Sequence, residues 1–504
     1  MEKRVLLAAI LSALLISWYS EFFLKPAVPV KSTSSQIAPQ AKATEPRGIT
    51  YHIEQEDVTS IYSEDVEVRI GQKTGQIREV MLKRFSDQST RQPLRIAADV
   101  PLLSIKVGVG DTSWRQEFSD NRSARFSQTK NGINYNISYS FQKYNHKLSI
   151  ELTSDSAKQE TVHIFSAWRR ADALNGKTNV LELTTFGLEK SGKPSYKRDQ
   201  WPIKAERNVP RGTAILALTE RYFCQAIKPI DAILAVTLLP SVNNTISAES
   251  STTFTGRLAL SVFFGPRDYF YLKRENLQEA FPIGALGKIG LILLAVLTWI
   301  AGITKSYGVG IILLAGLITS LTAPFTLISM KSMKKMQELK PAIDGIMAQH
   351  NANPAEANKA VFQLYREHKV SPLSGCLPML LQMPIFIALF QAISHFIELR
   401  GKSFLWIDDL SLPDRLAVFP FSLPILGNSF NLLPLIMAAT MYVQSKTTQS
   451  SMGQTGQTNP TAKLMSGPLM SIIFGIMFYQ FPAGLVLYWL TNSLMTLAWY
   501  RVAK

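Results

Sequence analysis

The chain is poor in the residue types that build disulfide scaffolds and metal centres. Its two cysteines, Cys224 and Cys376, are too few for a disulfide framework, and no CxxC motif or Cys/His cluster has the spacing of a zinc site. The six histidines are scattered along the chain, and none belongs to an HExxH motif. These absences exclude thiol redox chemistry and structural zinc as the basis of function.

Phosphate-binding motifs are missing as well. The glycine clusters GQKTGQ and LGKIG match neither a Walker loop nor a dinucleotide-binding fingerprint. We therefore expect no nucleotide, no other cofactor, no metal and no catalytic residue. The chain is predicted not to be an enzyme.

Charged residues are scarce relative to apolar ones. Only 18% of the 504 residues are charged, 46% are hydrophobic, and the mean hydropathy is slightly positive at +0.07. This balance is too apolar for an ordinary soluble protein and too polar for one that is wholly embedded in a bilayer. We attribute the net charge of +16 to basic residues that orient segments across a membrane. We therefore expect no direct recognition of nucleic acid.

The N-terminal segment begins with charged residues and continues as an apolar run over 5–24. Its length suits a membrane-spanning helix of about 20 residues, so residues 1–24 are predicted to form an uncleaved signal anchor. A cleaved signal peptide is the alternative, although no convincing cleavage site follows. Residues 25–49 are rich in Pro, Ser, Ala and Thr and are predicted to be a disordered linker.

Residues 50–265 show a different pattern of short alternating runs separated by turn residues. Examples are VEVRIGQKTGQIREVML and NGINYNISYSFQKYNHKLSIELTSD. Alternation of apolar and polar residues is typical of strands with one buried face. The pattern predicts a large all-β domain, most simply a sandwich.

The rest of the chain is strongly apolar and predicts a polytopic α-helical membrane protein with six transmembrane helices. The segments assigned to crossings are 1–24, 308–330, 376–396, 424–443, 464–481 and 483–500. Residues 266–307 contain another apolar run, over 283–303, which carries Lys288 and glycines at 284, 287 and 290 and is predicted to be interfacial or re-entrant. A long hairpin in which 283–303 also crosses is the alternative.

Basic residues determine the predicted orientation. The basic N-terminus and the segment KSMKKMQELK both favour the cytoplasmic side, which places the β domain and the loop 397–423 outside. Both termini are then cytoplasmic, as is the loop 444–463. Residues 331–375 are predicted to form a cytoplasmic hairpin of two amphipathic helices joined by an Asn/Pro turn.

The crossings contain neutral polar residues in place of charged ones. Thr319, Thr322 and Thr326 share one helix face, while Gln382 and Asn492 interrupt two other apolar segments. In one interpretation the threonines bond to carbonyls of their own helix around Pro324. In the other, Thr319, Thr322, Gln382 and Asn492 line a hydrated groove.

Several motifs together resemble a known family. They are GCLPMLLQMPIFIALF at 375–390, FPAGLVLYWLTN at 481–492, and the cytoplasmic hairpin that ends in HKVSPLSGC. Combined with a β domain behind an N-terminal anchor, they resemble the YidC/Oxa/Alb family of membrane protein insertases, in its Gram-negative form with a large periplasmic domain. The resemblance implies a β-supersandwich and a five-helix core that encloses a polar groove.

The resemblance also implies function, location and partners. The expected function is insertion and folding of inner-membrane proteins, with or without the Sec translocase, and the expected partners are nascent membrane proteins, Sec components, lipid, and the ribosome through the hairpin and loops. An apolar flank would guide the client's hydrophobic helix. The residues carried over to this apolar slide are Met383, Pro384, Phe386, Ile472, Ile473, Met477, Phe478, Tyr488 and Trp489.

One position departs from the family. Most members carry an arginine in the groove five residues before the proline of the second crossing, and here that position is Thr319. We expect acidic client tails to gain less from this groove. A channel or transporter of small solutes and a sugar-binding outer domain are the competing functions, but no pathway lining or cluster of carboxylates favours either.

Overall fold

The computed structural model describes residues 56–502, with short gaps. The gaps are 88–90, 109–112, 142–145, 170–180, 189–193, 210–211, 242–244, 282, 351–352, 369, 371–376, 424–425 and 453–467. The predicted anchor 1–24, the linker 25–49 and Cys376 lie outside the described residues, as does the second half of the loop 444–463.

Eighteen strands among the described residues from Val58 to Pro266 build a large β-sandwich. Nine strands form the first sheet: β1 (Val58–Tyr62), β2 (Val66–Gly71), β3 (Ile77–Ser86), β4 (Pro93–Ala97), β5 (Leu103–Val107), β10 (Glu160–Arg169), β13 (Arg207–Asn208), β16 (Ala235–Leu238) and β17 (Thr245–Phe254). Nine form the second: β6 (Arg115–Ser119), β7 (Ser123–Lys130), β8 (Ile133–Phe141), β9 (Lys147–Ser154), β11 (Glu182–Leu188), β12 (Pro194–Gln200), β14 (Ile215–Thr219), β15 (Phe223–Pro229) and β18 (Arg257–Pro266).

Neighbouring strands pair antiparallel throughout both sheets. The order in the first is β1-β2-β3-β5-β10-β17-β16-β13, with β4 on β3, and in the second it is β12-β11-β14-β15-β18-β9-β8-β7-β6. Strand β8 shows why the layers stack, since Tyr135, Ile137, Tyr139 and Phe141 are buried and alternate with half-exposed polar residues. Alternate side chains of a strand point to opposite faces, so each sheet contributes one apolar face to a shared core.

The turn between β7 and β8 is determined by two residues. Asn131 and Gly132 have φ angles of 55° and 78°. Two-residue hairpin loops of this kind need positive φ at both positions, which Asn-Gly adopts at little cost. The local sequence therefore sets the register of this hairpin, in which Lys130 pairs with Ile133.

Nine α-helices and one short hairpin of strands follow in the described part of the chain. The helices are α1 (Tyr269–Arg274), α2 (Ala285–Thr304), α3 (Tyr307–Glu338), α4 (Lys340–Gln349), α5 (Pro354–Glu367), α6 (Leu377–Ser394), α7 (Leu432–Met452), α8 (Pro468–Met477) and α9 (Ala483–Val502). The strands β19 (Ala417–Leu423) and β20 (Gly427–Phe430) lie between α6 and α7. Single 3₁₀ turns occupy Gln278–Ala280 and Ile397–Leu399.

Helix α3 runs further than the predicted crossing and divides the first amphipathic run. It continues through Pro324 to Glu338, and α4 begins two residues later at Lys340. Pro341 accounts for the break at Leu339, because proline has no amide proton to continue the preceding helix but is favoured in a first turn. Helices α4 and α5 then pack together as a hairpin.

Two helices are long and apolar enough to cross a membrane by length and composition among the described residues. They cover Leu286–Thr304 in α2 and Tyr307–Met336 in α3, and a shorter apolar helix covers Leu381–Ser394. The first turn of α3 lies close to the end of α6, where the rings of Tyr307 and Phe396 are 6.0 Å apart. We call this the outer end of both helices, after the side that the predicted orientation gives it.

Helix α2 packs against the outer ends of two other helices. Its first half approaches α6 closely, since a Cβ added at Gly290 would come within 2.6 Å of the Ala388 carbonyl oxygen. Its second half packs on the start of α3, where a Cβ added at Gly310 would lie 3.1 Å from Leu297. Both halves of α2 therefore contact the region within about two helical turns of the outer ends.

Candidate functional site

Helix α9 is the centre of the helical part of the protein. It packs against α3, α6 and α7. Tyr488 and Asn492 lie four residues apart on it and so share one face. Each of these side chains forms a hydrogen bond to a different helix, which makes this face of α9 the polar centre of the candidate groove.

Thr319 joins α3 to α9. Its side chain is 5% exposed, and its Oγ1 lies 2.7 Å from the carbonyl oxygen of Ala315 and 2.8 Å from Asn492 Oδ1. One hydroxyl proton serves one acceptor. The hydroxyl therefore donates to one of these two oxygens at a time, and it links α3 to α9 when it donates to Asn492 Oδ1.

The other two threonines of this face bond within α3. The hydroxyl of Thr322 donates to the carbonyl oxygen of Ile318 at 3.0 Å, and that of Thr326 donates to the carbonyl of Thr322 at 3.3 Å. These are the bonds that the structural interpretation of the threonines expects. Thr319 also makes such a bond, but it reaches a second helix in addition.

Gln382 joins α6 to the same face of α9. Its Nε2 donates to Tyr488 Oη at 2.7 Å, and the Tyr488 side chain is fully buried. The sequence assigned Tyr488 to the apolar slide, whereas the structure gives its hydroxyl a polar partner. Gln382 and Asn492 thus belong to two separate pairs that are held by α9.

Aromatic rings from α6, α9 and the residue that follows α8 meet beside these polar pairs. The ring of Phe386 in α6 lies 4.9 Å from Trp489 in an edge-to-face arrangement and 5.6 Å from Phe478. The ring of Phe478, just after α8, also lies 5.3 Å from Trp489 and is fully buried. Three residues that the resemblance assigned to the slide therefore form one aromatic cluster.

Helix α8 presents the exposed part of the proposed slide. Ile472 is 56% exposed and Ile473 is 45% exposed, so no other helix in the described part of the chain covers them. Met477 and Met383 are half-buried and Pro384 is exposed. Phe478 and Tyr488, by contrast, are fully buried.

Ile476 is a further member of the exposed face that was not identified from the sequence. It is 47% exposed and lies four residues after Ile472, on the same side of α8. Its helical spacing from Ile472 is the signal that could have identified it.

A family model and curated relatives point to one family. The family model described as 60Kd inner membrane protein matches residues 299–503. A membrane protein insertase YidC from Pelobacter propionicus is 30% identical over 99% of this chain and 98% of its own length. The YidC insertase from Geobacter metallireducens is 26% identical, covering 99% and 97%.

The chain belongs to the YidC family of membrane protein insertases. Among solved structures, an active YidC insertase with its first transmembrane domain resolved is 17% identical, with a TM-score of 0.37 over 88% of this chain and 92% of that one. The YidC family is not a family of enzymes, in agreement with the prediction from motifs. The relatives also support an inner-membrane location.

The loop before α7 is hydrogen-bonded to the first turns of α7 and α9 in this YidC-family core. Asp414 is buried, and its Oδ2 accepts hydrogen bonds from the backbone N–H of Leu433 at 2.8 Å and from Trp406 Nε1 at 3.3 Å. The N–H of Gly484 at the start of α9 donates to the Leu410 carbonyl at 2.8 Å. The loop thereby satisfies orphan donors at the first turns of α7 and α9.

The side chains that form the two polar pairs are neutral. Thr319 binds Asn492, and Gln382 binds Tyr488, so each pair is held by a hydrogen bond between uncharged groups. Within the described ranges no group of three His, Cys, Asp or Glu residues could hold a metal ion. The four side chains of the two pairs carry hydroxyl and amide groups only.

Proposed function

We propose that this protein inserts integral membrane proteins into the inner membrane and assists their folding. The observation that carries the proposal is the match to a YidC insertase over 99% of the chain at 30% identity. The geometry agrees with that role, because neutral polar pairs lie next to an aromatic cluster and an exposed apolar helix face. Such a boundary suits a client with a polar tail and an apolar helix.

The proposed mechanism begins with exchange of hydrogen bonds. In the structure the groups of Thr319 and Asn492 satisfy each other, as do those of Gln382 and Tyr488. A client's polar segment would replace these partners as it enters a hydrated groove between α3, α6 and α9. An unsatisfied polar group in hydrocarbon costs several kcal/mol, so this exchange lowers the barrier to passage.

The apolar slide would complete the reaction without nucleotide hydrolysis. A client's hydrophobic helix would move along Ile472, Ile473 and Ile476 on α8, with Phe386 and Trp489 behind them. Burial of about 20 apolar residues in lipid supplies the driving force. The residues that contact the client's hydrophobic helix are therefore expected on α6 and α8.

The same proposal includes the membrane topology. Six crossings, cytoplasmic termini and a periplasmic β domain would place the outer ends of α3 and α6 on the periplasmic side. The contacts of α2 with those outer ends favour an interfacial position for that helix over a hairpin that crosses twice. The hydrogen-bonded loop around Asp414 would then close the groove toward the periplasm.

Partners on the cytoplasmic side would meet a basic surface. Lys331, Lys334 and Lys335 are exposed at the end of α3, and Phe362 is exposed on α5. We propose that this surface contacts the ribosome or anionic headgroups while clients are delivered, and that Sec components bind elsewhere during joint insertion. The loop 444–463 is proposed to share this role.

The proposed function is tested by photo-crosslinking to a stalled nascent membrane protein. Probes at Phe386 and Met477 are expected to give strong adducts, and a probe at Thr319 should react only when the client opens the pair with Asn492. Trp299 on α2 is a matched control, because it is exposed and apolar but lies on another helix. The insertase proposal fails if a folded protein gives no more adducts at Phe386 and Met477 than at Trp299.

A change at Thr319 tests the role of charge in the groove. The Thr319→Arg variant is expected to insert clients with acidic translocated tails roughly threefold better than a Thr319→Met variant, the factor that about 0.7 kcal/mol of attraction supplies. Methionine is the control because both replacements remove the bond to Asn492 and are long. Insertion is measured as protease protection of the tail in vesicles, and equal yields for both variants would contradict the hypothesis.

A further inference from the structure

A short segment after α6 belongs to two hydrophobic cores. Ile397 is 3% exposed and packs within the core of the β domain, whereas Leu399 is fully buried in the core formed by the helices. Both residues lie in one 3₁₀ turn, Ile397–Leu399. The outer end of α6 and the β domain are therefore packed as one structure at this point.

Arg221 extends this contact from the β domain to the last turn of α6. It lies in the turn between β14 and β15, and its Nε donates to the carbonyl oxygen of Ser394 at 2.9 Å. Its Nη2 donates to the carbonyl of Ser411 at 3.3 Å. Ser394 is the final residue of α6, where carbonyls have no partner within the helix and a cation is favoured.

Arg400 makes the reciprocal contact from the helical side. Its Nη1 donates to the Ser86 carbonyl at 2.6 Å, and its guanidinium lies over the Phe223 ring at 5.4 Å from the centroid. Each part of the protein thus places one arginine on a backbone carbonyl of the other. Arginine suits such a contact because its planar group donates in several fixed directions.

We propose that Arg221 is a positioning residue for membrane insertion. By holding the outer end of α6, it sets where Gln382 and Phe386 stand against α9. Phe386 precedes Ser394 by eight residues, about 12 Å along a rigid helix, so a shift at the end is transmitted to the aromatic cluster. This inference rests on the proposed insertase function and adds a role for the β domain in that function.

The test compares two probe positions in the full-length chain in vesicles. Adducts with a stalled client are measured from photo-crosslinkers at Phe386 on α6 and at Ile472 on α8, which Arg221 does not contact. The Arg221→Gln variant is expected to lower the Phe386 signal relative to the Ile472 signal at least threefold, with Arg221→Lys between it and the unmodified protein. Arg257→Gln is the matched control, because Arg257 is an exposed arginine of β18 that pairs with Glu151.

A second measurement separates positioning from folding. Cys224 in β15 is fully buried, and burial raises the pKa of its thiol to about 12. In a Cys376→Ser background, Cys224 should therefore resist alkylation while the β domain is folded. We expect it to stay protected in Arg221→Gln to the same degree as in Arg257→Gln.

The outcomes distinguish the two proposals. An unchanged ratio of Phe386 to Ile472 adducts in Arg221→Gln would overturn the positioning role, and so would a parallel loss of both signals together with rapid alkylation of Cys224. Absence of adducts at both positions in the unmodified protein would instead overturn the insertase function itself. A selective loss at Phe386 with Cys224 protected is the expected result.

Discussion

Replacing Arg267 with methionine is expected to lower the free energy of unfolding of the β domain by about 3–5 kcal/mol at neutral pH. Arg267 Nη2 lies 2.9 Å from Glu182 Oε2, and both side chains are only 10% exposed. Its Nη1 also donates to the Glu220 carbonyl at 3.3 Å. Methionine fills similar space but leaves the carboxylate of Glu182 buried without its main partner.

The effect should depend on pH through Glu182. Burial raises the pKa of this carboxyl, but Arg267, Arg198 and a hydrogen bond from Gln200 together hold it below the ordinary value of 4.5. Because the folded pKa is lowered, the stabilisation is complete above the unfolded pKa and is lost as pH falls through the folded one. In Arg267→Met, burial dominates and the pKa of Glu182 rises, so the deficit should shrink as the pH is lowered toward 4.

The measurement is alkylation of Cys224 across a denaturant series at pH 7 and at pH 4.5. Arg257→Met is the control, and it should cost less than about 1 kcal/mol because the Arg257–Glu151 pair is largely exposed. Adding Glu182→Leu to Arg267→Met should restore part of the lost stability, since the unpaired charge is removed. A deficit that equals the control, or that is the same at both pH values, would contradict the explanation.

Much of the fold could be predicted from local sequence patterns, because these patterns directly reflect which side chains are buried. The alternation in β8 and the Asn131-Gly132 turn are properties of adjacent residues, so a β-sandwich could be predicted without knowing any pairing. The order of the strands could not, because β10 lies beside β17 and β5 through contacts between distant parts of the chain. Such pairings depend on how two complete sheets close over a core.

The candidate groove shows the same division. Polar residues in apolar helices identified Thr319, Gln382 and Asn492, since each is costly in hydrocarbon without a partner. The hydrogen-bond partner of each residue could not be predicted from the sequence, because the partners are far apart in the chain. Thr319 and Asn492, for example, are separated by 173 residues. Tyr488 was grouped with apolar residues because its ring suits a core, whereas its hydroxyl binds Gln382.

The charged residues at the junction left no signal in the sequence. Arg221, Arg267 and Arg400 lie in irregular segments, where a basic residue usually means a solvated turn. Only the folded arrangement shows that Arg221 and Arg400 reach carbonyls of the opposite part and that Arg267 is buried. The periodicity of apolar residues indicates which face of a helix or strand is buried. These arginines lie outside helices and strands, so periodicity could not predict their contacts.

Replacing Phe478 with alanine should be the most disruptive single change in the helical core. Its ring is fully buried against Phe386, Trp489 and Phe481, the last at 4.8 Å. Truncation of a buried Phe costs about 3–5 kcal/mol, because the cavity removes packing contacts on every side. Insertion activity should fall at least tenfold, since Phe386 loses the ring that supports it.

The matched control is Ile472→Ala on the neighbouring helix α8. Ile472 is 56% exposed, so its truncation removes few protein contacts and should leave unfolding within about 1 kcal/mol of the parent protein. It should nevertheless reduce client adducts from α8, because the lost surface is the one proposed to meet the client. Unfolding in mixed micelles and insertion in vesicles are measured side by side.

The two variants together distinguish residues that support the apolar slide from residues that contact the client. Phe478→Leu should recover most of the stability lost in Phe478→Ala, because it refills the cavity with an apolar group, and insertion should recover with it. If Phe478→Ala unfolds like the parent protein, or if Ile472→Ala is equally destabilised, the aromatic cluster does not hold the slide in place. A loss of stability confined to Phe478 and a loss of client contact without unfolding at Ile472 would show that the buried ring supports a surface formed by its neighbours.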